Sequence, residues 1–221
     1  MIFLEQTSAI LWKDIRGELR SKQMWTGMGL FALLVLVIFN FAFDLRADNK
    51  AAIAPGALWV SFVFASILGL GRTIAAEREK GSMDRLLLCP VDRKAIYLAK
   101  LLGNMLFIGV VEIIALPIFA ALFNVPLFLG ALLPIVLLGT LGIAAVGTLF
   151  SAMAAATQAR ELLLPILIFP LIVPVVIGAV RATGTLLVPA ANEPPWLGLI
   201  AAFDIIFLSI SMLTFEYVIE E

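Results

Sequence analysis

LLGNMLFIGVVEIIALPIFAALF, residues 101–123, carries one charged side chain, Glu112, in its whole length. A helix of this length is roughly 35 Å long at 1.5 Å per residue, enough to cross a hydrocarbon core of about 30 Å. Backbone amides in lipid must be satisfied within the segment, and no strand alternation is visible, so the run reads as a transmembrane helix. Five further runs read the same way: 24–43, 51–70, 127–150, 162–180 and 196–214. Of 221 residues, 62% are hydrophobic and 14% charged, whereas a soluble domain is near half apolar and a quarter charged. The expected fold is therefore an all-α integral membrane protein, a single domain over 1–221 with six transmembrane helices in 24–214 and no soluble domain left over.

Upstream of that run lies EREKGSMDRLLLCPVDRK, residues 77–94, a charged interruption between two apolar spans. The second span is expected to continue as a helix past Arg72 through Glu79, until Gly81 offers a stop and Ser82 a new N-cap. From Met83, residues Leu86, Leu87 and Pro90 fall at i+3, i+4 and i+7, which predicts a two-turn helix with one apolar face, ended by proline. Asp92 then caps the next helix. A charged stem carrying a short leucine-faced helix suits a docking element for a cytoplasmic partner; a surface helix folded onto lipid headgroups is the alternative.

Orientation follows from the basic residues. Twelve of the fifteen Lys and Arg fall in the amino-terminal arm, in 72–100 or at Arg160, against three (Arg46, Lys50 and Arg181) in the opposite loops. By the positive-inside bias both termini and the 72–100 loop are expected in the cytoplasm. Residues 1–23 lack the layout of a cleaved signal peptide, so the start is expected to be retained. Within 3–22 the residues Leu4, Leu11, Trp12, Ile15 and Leu19 recur at helical spacing while Lys13, Asp14, Arg16 and Arg20 face elsewhere. This is the pattern of an amphipathic helix lying in the membrane interface, as an anchor or as an arm that also touches a cytoplasmic partner.

Much chemistry is excluded. The string Lys80-Gly81-Ser82 has its lysine before the glycine and no phosphate cradle upstream, so ATP is not bound by a P-loop here. Histidine is absent and Cys89 is the one cysteine, so metal-hydrolase, Ser/His and disulfide readings lose their parts. With a pI of about 5.6, no nucleic-acid role is suggested. Two carboxylates, Glu112 and Asp204, lie inside spans, where an ionised group costs about 2.5 to 3.5 kcal/mol. Each is expected to face protein or a cavity, or to be protonated. At similar depth, both are placed to share one inter-helix space, as structural hydrogen-bonding groups or as the lining of a path. Pro165, Pro170 and Pro174, followed by RATGTLLVPAANEPP, suggest a bent or re-entrant gate in the fifth span, or ordinary structural prolines.

Glu77, Gly81, Leu86, Leu87 and Pro90, spaced E-x-x-x-G-x-x-x-x-L-L-x-x-P between spans two and three, resemble the permease subunits of ABC-2 type transporters. More narrowly, IAPGALWV (53–60), GSMDRLLLCP, Leu98-Ala99-Lys100, LLGTLG (137–142) and LLLPILIFPLIVPVVI are similar to the haem exporter protein B family of cytochrome c maturation. The resemblance implies a non-enzymatic permease subunit of a bacterial inner (cytoplasmic) membrane, a homodimer, partnered by a separate ABC ATPase subunit that holds the ATP and by other cytochrome c maturation proteins. Residues Glu77, Gly81, Met83, Leu86, Leu87 and Pro90 would form the ATPase-coupling element. Haem would be a substrate rather than a resident cofactor, and ATP hydrolysis would support haem export or release of a haem-loaded chaperone. Another hydrophobic export substrate, or a membrane scaffold that moves nothing, are the alternatives. The chain departs from many relatives in having Leu101-Leu102-Gly103-Asn104 after Lys100, where they carry His and Trp. Without histidine, Met or Cys89 would be left to ligate haem iron.

Overall fold

The computed structural model describes residues 2–21, 23–43, 47–79, 88–126, 129–155, 160–188 and 194–220. Among them are seven helices and no strands: α1 (Ile2–Ser21), α2 (Gln23–Ala42), α3 (Ala47–Glu79), α4 (Arg93–Phe123), α5 (Leu129–Ala155), α6 (Arg160–Leu187) and α7 (Trp196–Glu220). The six from α2 onward are long and apolar enough to cross a membrane, as the hydrophobic runs require. This is an all-α membrane protein.

Local signals place most helix ends. Asp92 is the N-cap of α4: its backbone is extended and its Oδ1 accepts the Lys94 N–H at 2.9 Å, which satisfies one of the orphan donors of the first turn. At the far end Asn124 adopts φ 52° and its N–H returns to the Ala120 carbonyl, the left-handed stop that asparagine tolerates. Helix α3 continues to Glu79, as the sequence predicts. Its 33 residues span about 50 Å, so it projects well beyond a hydrocarbon core.

The prolines of the fifth span neither break nor re-enter. Pro165, Pro170 and Pro174 all lie within one continuous helix that runs on to Leu187, six residues past Arg181, where the sequence suggested a loop. Leu164, Ile168, Ile172, Val175, Ala179 and Ala182 are buried at helical spacing straight through the prolines. Helix α6 packs on α3, α5 and α7, and that packing sustains the helix where backbone donors are lost.

Helix α5 is the axis of the bundle, in contact with α3, α4, α6 and α7. In its apolar stretch 72% of residues are buried, against 22% in α2 and 17% in α7, which lie at the periphery. Glycines let its neighbours approach: a Cβ at Gly139 would overlap the indole of Trp59, and one at Gly147 would overlap Leu70, both on α3. The amphipathic α1 leaves Leu4, Trp12 and Leu19 exposed and turns Thr7 and Ile10 inward. The Arg16 guanidinium lies over the Trp12 ring, 5.1 Å from its centroid.

Candidate functional site

The described limb of the interrupting loop is exposed. Leu88 is 86% accessible, and Cys89 and Pro90 beside it are also exposed. Of the residues expected to form the coupling element, Glu77 falls within the last turns of α3; Gly81, Met83, Leu86 and Leu87, with the two-turn helix they predict, lie outside the described residues. The limb is tied to α1 by Gln6, whose Nε2 donates to the Pro90 carbonyl and whose Oε1 accepts from the Asp92 N–H, both at 3.4 Å.

Next to this limb, α1 is fastened to α4. Lys100 is fully buried, and its Nζ donates to Asp14 Oδ2 at 2.6 Å, with Asp14 only 9% exposed. This corrects the expectation that Asp14 faces away with the other charges of α1. On its own helical wheel Asp14 belongs to the polar side; α4 supplies the buried cation that turns it inward. Glu18 fixes the other end of α1, where its Oε1 accepts the Met24 N–H at 3.0 Å.

From Lys100 a polar stripe climbs α4 toward the bundle centre. The Asn104 amide donates to Thr148 at 2.9 Å, and the Thr140 hydroxyl lies 2.7 and 2.8 Å from the two oxygens of Glu112. The eight-residue step from Asn104 to Glu112 is matched by the eight-residue step from Thr148 back to Thr140, the register of two antiparallel helices. From the loop end of α4, the Tyr97 hydroxyl donates to the Ala145 carbonyl, between Thr140 and Thr148 on α5, at 3.1 Å. Buried polar side chains need such partners. Asn104 and Thr148 were missed by sequence reasoning, although the four-residue spacing of Lys100 and Asn104 puts both on one face of α4.

The second carboxylate, Asp204 on α7, is 3% exposed. It packs on α5 at Gly142, where an added Cβ would lie 2.5 Å from Oδ1 and 2.9 Å from Val175 of α6. Glu112 and Asp204 are therefore level with each other, at positions 140 and 142 of α5, but two residues on a helix turn through about 200°. The two carboxylates lie on opposite sides of α5. The expectation that they face one inter-helix space is overturned. Nearer the other end of the bundle, the Trp59 indole N–H donates to Thr183 at 3.0 Å and locks α3 to α6.

The family model described as "CcmB protein" matches residues 5–220. The chain belongs to the CcmB family. Among its relatives is the Rhodobacter capsulatus protein named "Heme exporter protein B", 33% identical over 76% of this chain and 78% of its own length. Proteins of the same name are similar in Pseudomonas aeruginosa, 30% identical over 88% of this chain and 89% of theirs, and in Bradyrhizobium diazoefficiens, 29% identical over 92% of both. Family membership extends across all seven helices, from the first turns of α1 to the end of α7.

Proposed function

We propose that this chain is the membrane-spanning permease subunit of an ABC exporter serving cytochrome c maturation, working as a homodimer with a separate ATPase subunit in a bacterial inner membrane. The observation that carries the reading is the family match over residues 5–220 together with relatives whose name is haem exporter protein B. ATP is bound and hydrolysed on the partner, and haem is cargo. Both termini and the loop between α3 and α4 face the cytoplasm, in keeping with the distribution of Lys and Arg.

In this reading the segment 77–94 is the seat of the ATPase, with Glu77, Gly81, Met83, Leu86, Leu87 and Pro90 forming its coupling surface. Displacement of that segment is passed to the bundle by the continuous α3 on one side and by α4 on the other. Gln6 and Asp14 make α1 part of the same lever, since one grips the loop limb and the other the base of α4. Hydrolysis then drives haem export or release of the haem-loaded chaperone.

The test replaces Leu86 and Leu87 together by Asp, which puts charge into an apolar contact where loss of hot-spot side chains weakens binding by upwards of about 2 kcal/mol each. The variant is expected to insert normally, to lose its ATPase on purification and to abolish covalent cytochrome c formation. Retained ATPase association with normal cytochrome c yield refutes the docking assignment, and normal cytochrome c in a strain deleted for this chain refutes the functional reading.

A further inference from the structure

The two intramembrane carboxyl groups are equally buried, yet only one is satisfied. Glu112 is closed by the Thr140 hydroxyl. Asp204 has no hydrogen-bond partner on either carboxyl oxygen among the described residues, and its Oδ1 is seated against Gly142 of α5, where an added Cβ would lie 2.5 Å from it.

The helices packed on α7 are α4, α5 and α6. From Leu129 to Ala155, α5 contains no acidic or basic residue. On the buried face of α4, Tyr97 bonds the Ala145 carbonyl, Lys100 bonds Asp14, and Glu112 lies across α5 on Thr140. On α6, Arg181 is exposed, and the side chains of Arg160 and Glu161 lie outside the described residues. On α7 itself, Glu216 and Tyr217 are exposed, about three turns away. None of the described groups supplies Asp204 with a donor or counterion.

A charged carboxylate in this setting is among the least favourable placements a membrane protein can make, because a buried charge is tolerated only when paired and hydrogen-bonded. The packing of the described residues offers neither form a partner, and burying the neutral acid costs far less than burying the ion. Helix α7 is also a peripheral span, with 17% of its most apolar stretch buried, so its outward shift would disturb little of the core.

We propose that Asp204 is a proton site inside the membrane domain. It holds a proton while α5, α6 and α7 are packed around Gly142, and it gives that proton to water when the helices part and water reaches the seam, leaving a carboxylate and hydronium. Closure of the seam requires that the proton return. Glu112, bonded to Thr140 on the other side of α5, takes no part. The proposal concerns the side chain and its surroundings and is independent of the identity of the cargo.

Infrared spectroscopy of the full chain in proteoliposomes tests it without any transport assay. At neutral pH the protein should show a carboxylic acid carbonyl band that is absent in Asp204→Asn, is kept in Glu112→Gln, and moves on transfer to D2O as the acid proton exchanges. Should the Asn variant fail to insert, wild-type protein carrying carboxyl-13C aspartate serves instead, because Asp204 is the one aspartate in the six apolar spans, and the same band must shift. No aspartic acid band at neutral pH, or one that never exchanges with D2O, overturns the proposal.

Discussion

Replacing Asp14 by alanine should release α1 from the bundle. The carboxylate it removes lies 2.6 Å from the ammonium of Lys100, whose side chain is wholly buried, while Asp14 keeps 9% exposure and has Lys13 3.2 Å from its other oxygen. Removing one partner of a buried pair costs about 3 to 5 kcal/mol. The partly open edge at Asp14 and the shared contact with Lys13 put this pair at the lower end, about 3 kcal/mol. At about 1.4 kcal/mol per tenfold, that is roughly a hundredfold rise in the population with α1 detached. Lys100→Met removes the buried charge and keeps the length of the chain, so it should be milder. The double variant Asp14→Ala with Lys100→Met should recover most of the loss seen in Asp14→Ala alone, because neither charge is then left behind. The assay is the rate of proteolysis within residues 1–22 in membranes, which reports the open population when reclosing is fast relative to cleavage. If the effects of the two single changes simply add in the double variant, the pair does not hold α1 and the clamp is wrong.

Three further outcomes follow from the packing and the charge distribution. Gly139→Ala places a methyl inside the Trp59 ring, which is fully buried and held by Thr183, so it should lose about 1 to 3 kcal/mol of thermal stability, while Gly109→Ala, which meets nothing within 4 Å, should be neutral or slightly stabilising. Thr140→Val strips Glu112 of its hydroxyl and should destabilise the bundle by about 1 to 3 kcal/mol in a denaturation series; Thr140→Val combined with Glu112→Leu should restore much of it, and failure to do so would argue against that bond. A cysteine at Asp48 should react with an impermeant thiol reagent added outside intact cells while the exposed Cys89 should not, and labelling of Cys89 from outside would reverse the orientation.

Features that rest on a short stretch of chain are legible in the sequence. Six spans follow from apolar length alone, the stem through Glu79 from the absence of a breaker before Gly81, and the start of α4 from Asp92. The prolines of α6 leave two readings open for the complementary reason: proline removes a local hydrogen bond, and whether the helix survives depends on what packs on its stripe, which residues 160–187 do not state by themselves. Haem exporter protein B motifs point to the family because they are local strings. The partners of the buried polar groups are not local.

What the sequence determined by itself was the number and approximate extent of the helices and the angular relation of residues within each one. It put Asp14 on the polar side of α1, and Glu112 and Asp204 at similar depths on two different helices. Only the tertiary structure decided how those helices are rotated against one another. A period of 3.6 residues fixes angles about one axis and is silent on what stands opposite, so Lys100 turning Asp14 inward could not be read from either helix. Likewise α5, brought close to its neighbours by Gly139, Gly142 and Gly147, separates the two carboxyl groups and, among the described residues, gives a hydroxyl to one and none to the other.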